Sequence, residues 1–265
     1  MTAAPDAPTR TTATPMGLWR LEWLRLVRTR RLAALLGTFG FFGLTAAPLA
    51  RWAGELASRV GGSVQIIAPP PVPADAMTSY VSNASQLGLL VFVLVTAGAV
   101  TVDARAESAA FLRTRVRRRR DLVVPRLATN AAAGAAAYAT GALLAWYGAV
   151  LLLGDLPIGP MAAGVVLGAL YLPFLAAVAA LVATRSASVA VTALATLAVA
   201  LVSGLVGTLV PDRLARWLPS HLVGSITSLA GGGAVAEVLP AALTTVVATI
   251  ALSALAVRFA GRREL

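Results

Sequence analysis

The chain of 265 residues has no cysteine, no lysine and one histidine, His221. Without cysteine there are no disulfides, thiolate metal sites or cysteine nucleophiles. Without lysine there is no P-loop lysine, Schiff base or kinase-type phosphate lysine, so the chain does not hold ATP by the P-loop device. A two-histidine zinc motif is likewise excluded, and His221, set among Ser and Pro with no acidic neighbour, reads as a polar rim residue. No cofactor site, metal site or catalytic constellation is expected. Charge is scarce too: 12% of residues are charged, against about a quarter in a soluble domain. Apolar residues make up 58% and mean hydropathy is +0.81. That composition excludes a soluble globular protein and puts the chain in a bilayer.

What the chain does have is long uncharged apolar runs. A spanning helix needs about 20 such residues, because the hydrocarbon core is about 30 Å thick and a helix rises 1.5 Å per residue. Six runs qualify, over residues 32–50, 84–102, 127–153, 161–183, 187–210 and 238–257. Ala, Leu and Val dominate them without alternation, so they predict an all-α six-helix membrane bundle and not a barrel. Residues 17–265 form that single domain. Pro173 predicts a kink in the fourth run. The stretch Trp217–Ala236 is uncharged but carries Pro219, His221, four hydroxyl residues and Gly231 to Gly233. It is too polar and broken for a lipid-facing span, and reads as a re-entrant or outer-face segment.

Arginine sets the orientation. Six spans divide the loops so that eighteen Arg fall on one side and four on the other. Both termini and the loop 103–126 are therefore expected in the cytoplasm of a multi-pass plasma-membrane protein. The net charge of +11 is mostly topogenic and calls for no nucleic acid. Residues 1–16, rich in Thr, Ala and Pro, read as a disordered tail with no signal-peptide core. From Gly17 to Arg31 the chain reads GLWRLEWLRLVRTRR. Trp19, Trp23, Leu26 and Val27 share an arc, with Glu22, Arg25 and Arg28 among the rest. The segment reads equally as a helix at the cytoplasmic headgroup level and as a basic flank with aromatic anchors.

The loop after the second span opens with Asp103 and Glu107, continues through Ala109, Ala110, Phe111 and Leu112, and ends with Arg113, Arg115 and Arg117 to Arg120. A helix here offers a partner an apolar spot ringed by charge, and the plainer alternative is a topology signal touching anionic lipid. None of the six runs as drawn contains an ionisable residue, which argues against an ion-coupled carrier and an intramembrane hydrolase. Asn83, Gln86 and Asn130 at the run ends are expected to hydrogen-bond neighbouring helices or line a path. Small residues carry the packing signal. Gly134, Gly141 and Gly148 recur every seventh position on the third run, Gly164 and Gly168 make a GxxxG on the fourth, and Gly37, Gly40 and Gly43 repeat on the first.

Six spans, the EWLRLVRTRR segment before the first, the acidic-then-basic loop after the second and the broken segment before the last together resemble the permease subunits of type-2 ATP-binding-cassette (ABC) transporters. Glu22, Arg25, Arg28, Arg30 and Arg31 match the family's acidic-then-basic entry segment in kind. Ser108 stands where the family commonly has Gly after the acidic residue, and Val116 lacks the preceding Pro. The resemblance implies a permease half that exports a hydrophobic or amphipathic compound such as an antibiotic, lipid or drug. It also implies a separate ATPase subunit as partner and a second permease half, identical or sister. Asp103, Glu107, Phe111, Leu112, Arg113 and Arg115 become the ATPase-coupling residues, with the interfacial helix beside them. The chain itself is then a transport subunit and not an enzyme. Abundant Ala, Gly and Arg with no Lys fits a high-GC bacterial source. The rival from another class is a non-transporting six-helix scaffold or assembly protein.

Overall fold

The computed structural model describes residues 15–60, 70–101 and 120–262, and every regular element among them is helical. Six helical units are long and apolar enough to cross a bilayer: Arg31–Glu55, Pro73–Val100, Val123–Leu152, Ile158–Ala183, Val189–Leu209 and Val235–Ala260. The protein is an all-α, six-span bundle of multi-pass membrane type. The expected tail, residues 1–16, lies almost wholly outside the described residues.

A short helix α1 (Pro15–Arg28) leads into α2 (Arg31–Val60), the first span. Between them Arg30 takes a left-handed conformation, φ 57°, and donates its N–H to the Val27 carbonyl. The second span is longer than its apolar run. It starts with α3 (Pro73–Asn83), passes through a π-helical turn (Ala84–Gly88) and continues as α4 (Leu89–Val100). Polar residues broke the run at 84, yet they are satisfied within their own helix. Thr78 donates to the Ala74 carbonyl and Asn83 to that of Ser79. Their apolar neighbours Met77, Tyr80 and Val81 are buried, so the Thr78 and Asn83 side chains are satisfied while the helix packs its apolar face inward.

The third span is α5 (Arg120–Leu152). The fourth breaks into α6 (Ile158–Ala169) and α7 (Tyr171–Ala183) at Leu170. Pro173 accounts for the break: it has no N–H for the Ala169 carbonyl, and its ring crowds that turn. This span is the central column, with 61% of its apolar window buried, whereas the fifth span, α8 (Val189–Leu209), is 17% buried. After α8 come α9 (Asp212–Ala215), a 3-10 turn (Pro219–Gly224), α10 (Ser225–Ala230) and the sixth span α11 (Val235–Arg262).

The segment between α9 and α10 dips into the bundle at the end opposite α1. Trp217 offers its carbonyl to the Thr244 hydroxyl at 2.6 Å, and Thr244 lies nine residues into α11, about 14 Å along the helix. Ser220 donates to the Ser203 carbonyl of α8, and Ser225 to the Gly164 carbonyl of α6, both at 2.9 Å. Leu222, Ile226 and Leu229 are fully buried there. The segment packs into the bundle as a re-entrant element would: two of its hydroxyls and one of its carbonyls find partners on neighbouring spans, the condition under which broken helix is tolerated within a membrane.

The core sits where α2 crosses α5. Gly43 and Gly141 meet backbone to backbone, and a Cβ on Gly141 would also lie 2.8 Å from the Tyr80 hydroxyl. Tyr80 donates that hydroxyl to the Tyr138 carbonyl at 2.6 Å, and Phe39 meets the Tyr138 ring edge-on, 5.9 Å between centroids. Buried tyrosine hydroxyls need such partners.

Candidate functional site

The end of the bundle that carries α1 holds a buried ion pair. Glu22, on the inner face of α1, and Arg126, near the start of α5, are 4% and 3% exposed. Arg126 donates from Nη2 at 3.0 Å and from Nε at 3.2 Å to the same oxygen, Oε1. Arg25, one turn along α1, stands 3.7 Å from that oxygen. Just beneath, Arg31 at the head of α2 donates to the Gly98 carbonyl at the tail of α4, 3.2 Å away. Two arginines thus meet on one carboxylate with a third nearby on the Gly98 carbonyl, and α1, the first span, the second span's end and the third span's start are tied at one level.

Burying a charge pair costs desolvation that is repaid only by close geometry. Here the fork of one guanidinium supplies it, and Leu26, one turn from Glu22 and 3% exposed, seals the same face. Asn130, one turn into the span from Arg126, donates to the Arg126 carbonyl at 2.8 Å, while its own Oδ1 is buried without a partner.

The sequence-based placement needs correction at several points. Glu22, which the sequence places in the interfacial helix without saying which way it faces, is buried. Within the arc of Trp19, Trp23, Leu26 and Val27, burial is uneven: Leu26 at its edge is 3% exposed, beside Glu22, whereas Trp19 and Trp23 are 45% and 48% exposed and Val27 is exposed with them. Arg28 is exposed in the last turn of α1. The apolar runs as drawn excluded charge only because they stopped short of the helix ends: Arg31 and Arg126 fall inside spans. Asn83, Gln86 and Asn130 bond one turn back within their own helical units and reach no neighbouring span. Asp103, Glu107, Phe111, Leu112, Arg113 and Arg115 lie outside the described residues.

The glycines divide sharply. A Cβ on Gly134 would strike the Phe92 ring, one on Gly148 would lie 3.0 Å from the Ala47 Cβ, and one on Gly141 would strike the Phe39 carbonyl. Gly164 admits the α10 backbone, where a Cβ would lie 2.9 Å from the Ile226 Cα, and Gly168 admits the Tyr138 hydroxyl, where a Cβ would lie 2.6 Å from it. These five close contacts are all inside the subunit. Of the first-span repeat, only Gly43 is pressed in this way: Gly37 has open space, and Gly40 has one ordinary contact with Leu144.

A signal for the Glu22–Arg126 pair was present in one respect, since Glu22 is the only acid between Arg20 and Arg31. Its partner is 104 positions away, beyond any spacing rule. No protein-family model, curated protein or solved structure matches the chain.

Proposed function

We propose that the chain is the membrane half of an ABC exporter, shaping a path for a hydrophobic or amphipathic substrate while a separate ATPase subunit docks at the α1 end. The observation that carries this reading is the buried Glu22–Arg126 pair. A segment that only marks topology has no use for a carboxylate sunk against the third span. A helix that transmits a push needs a rigid attachment, and a buried, forked ion pair between helices is one. The arginine-rich stretch 113–120 joins the third span six residues before Arg126, so a partner gripping that stretch pulls on the same anchor.

In this reading the protein resides in the plasma membrane with both termini and the loop 103–126 in the cytoplasm. The re-entrant segment closes the outer side. A second permease half completes the path, and the fifth span, 17% buried, offers it the largest uncovered surface. The test is co-purification with the ATPase subunit encoded beside this chain's gene. The two are expected to elute together, and the complex is expected to be lost when Glu107→Arg and Phe111→Asp are combined. If no ATPase is encoded nearby and none co-elutes, the scaffold reading replaces this one.

A further inference from the structure

An open groove of about 880 Å³ runs between α5, α7 and α11, toward the bundle end that carries α1. Its walls are Val124, Leu127, Ala128 and Ala131 on α5, facing Thr249, Ser253, Ala254, Val257 and Arg258 on α11, with Pro173 of α7 between them. The spacing explains the shape. Positions 124, 127, 128 and 131 are one helical face, 249, 253 and 257 are one row of another, and the small side chains at 128, 131, 253 and 254 leave the volume unfilled. Its size lies within the roughly 300–1,000 Å³ of ordinary ligand sites.

Three observations limit what fits. From Thr249 to Arg258 the wall is nine residues long, about 14 Å, which is close to half of the ~30 Å hydrocarbon thickness. A single leaflet's acyl chain has that depth. Arg258, at the mouth, is exposed and forms no ion pair among the described residues. Arg185 stacks over the ring of Phe259, 5.6 Å from its centroid, so a second cation stands at the same level. Among the described residues the rim is therefore basic, which disfavours a second copy of this bundle end and favours an anion. Below the rim, about 7 Å down the helix from Arg258, the Ser253 hydroxyl has no hydrogen-bond partner among the described residues and is open to a polar group of a ligand.

We propose that this groove holds one acyl chain of an anionic phospholipid from the leaflet at the α1 end, with Arg258 gripping the phosphate. The site needs a bilayer and no ATPase, so it stands or falls separately from the transport reading.

Native mass spectrometry of the protein in neutral detergent, titrated with phosphatidylglycerol or phosphatidylcholine, tests it. The wild-type chain is expected to retain one phosphatidylglycerol at least fivefold more tightly than phosphatidylcholine. Arg258→Gln should abolish the preference and leave weak retention of both lipids. Ala128→Trp and, independently, Ser253→Phe should each fill the groove and remove the retained lipid, with helical circular dichroism and elution volume unchanged in at least one of them. Inorganic phosphate at millimolar concentration should not displace the lipid. Equal retention of the two lipids, a preference that survives Arg258→Gln, retention that survives a folded groove-filling variant, or displacement by phosphate alone would each overturn the proposal.

Discussion

At residue scale, the Glu22–Arg126 pair separates stability from transmission. Removing one partner strips a buried charge of its closest counter-charge, and breaking a buried pair in this way costs up to about 3–5 kcal/mol. Glu22→Gln and Arg126→Met are each expected to lower the unfolding midpoint in detergent by many degrees. The double variant Glu22→Leu with Arg126→Leu removes both charges, and apolar replacement of a buried pair is often neutral. It should recover most of the midpoint, and if the pair transmits motion as proposed, substrate-stimulated ATP turnover of the assembled complex should remain low. A double variant that restores both stability and turnover would reduce the pair to a structural tie. The glycines give a second contrast. Gly141→Ala forces a Cβ onto the Phe39 carbonyl and the Tyr80 hydroxyl, an overpacking cost of about 1–3 kcal/mol. Gly37→Ala meets nothing within 4 Å and should gain about 0.5–1 kcal/mol from helix propensity. Thermal unfolding of the two variants checks both signs. The sequence shows both residues in the same kind of small-residue repeat; only the crossing of α2 with α5 tells them apart.

At element scale, the re-entrant segment depends on a few specific contacts. Ser225 donates to the Gly164 carbonyl and Ile226 presses its backbone against Gly164. Ser225→Ala is expected to cost about 1 kcal/mol. Gly164→Leu should push α10 out of the bundle, and a cysteine placed at Leu222 in that background should react with a water-soluble maleimide much faster than in the native background. Unchanged reactivity would mean that the segment is held mainly by its contacts with α8 and α11. The broken character of this stretch was legible from Pro219 and Gly231 to Gly233, since breakers mark irregular backbone wherever they sit. Its depth was not, because depth is set by hydrogen bonds to Ser203, Gly164 and Thr244 on three separate spans. The second span shows the opposite failure. Thr78, Ser79, Ser82 and Asn83 shortened it by eleven residues, because hydropathy counts a hydroxyl as polar even when its hydrogen bond closes within one turn.

At the scale of the whole molecule, six spans were legible because each apolar run must be long enough to cross the bilayer, and length survives ignorance of packing. Sidedness is open to a direct measurement, since the native chain has no cysteine and every thiol introduced is the only one. Single cysteines at Ser186, in the α7–α8 link, and at Asp155, before α6, should give opposite results in intact cells. The second is expected to react with a membrane-impermeant maleimide and the first only after permeabilisation. Reversal of that pattern would invert the arginine assignment and overturn the proposed docking of an ATPase at the α1 end.

The backbone contact between Gly43 and Gly141 also constrains how such a bundle can move. With no side chain between them, the first and third spans cannot slide or roll past one another without carbonyls colliding, and α1 rides with them through Glu22 and Arg126. Close backbone contact and the buried ion pair thus bind these three helices to one another. If the chain is the proposed permease half, its opening stroke falls to the Leu170 joint of the fourth span or to the thinly covered fifth, and a cross-link joining those two to α2, α5 and α1 should stop transport with these three helices undistorted.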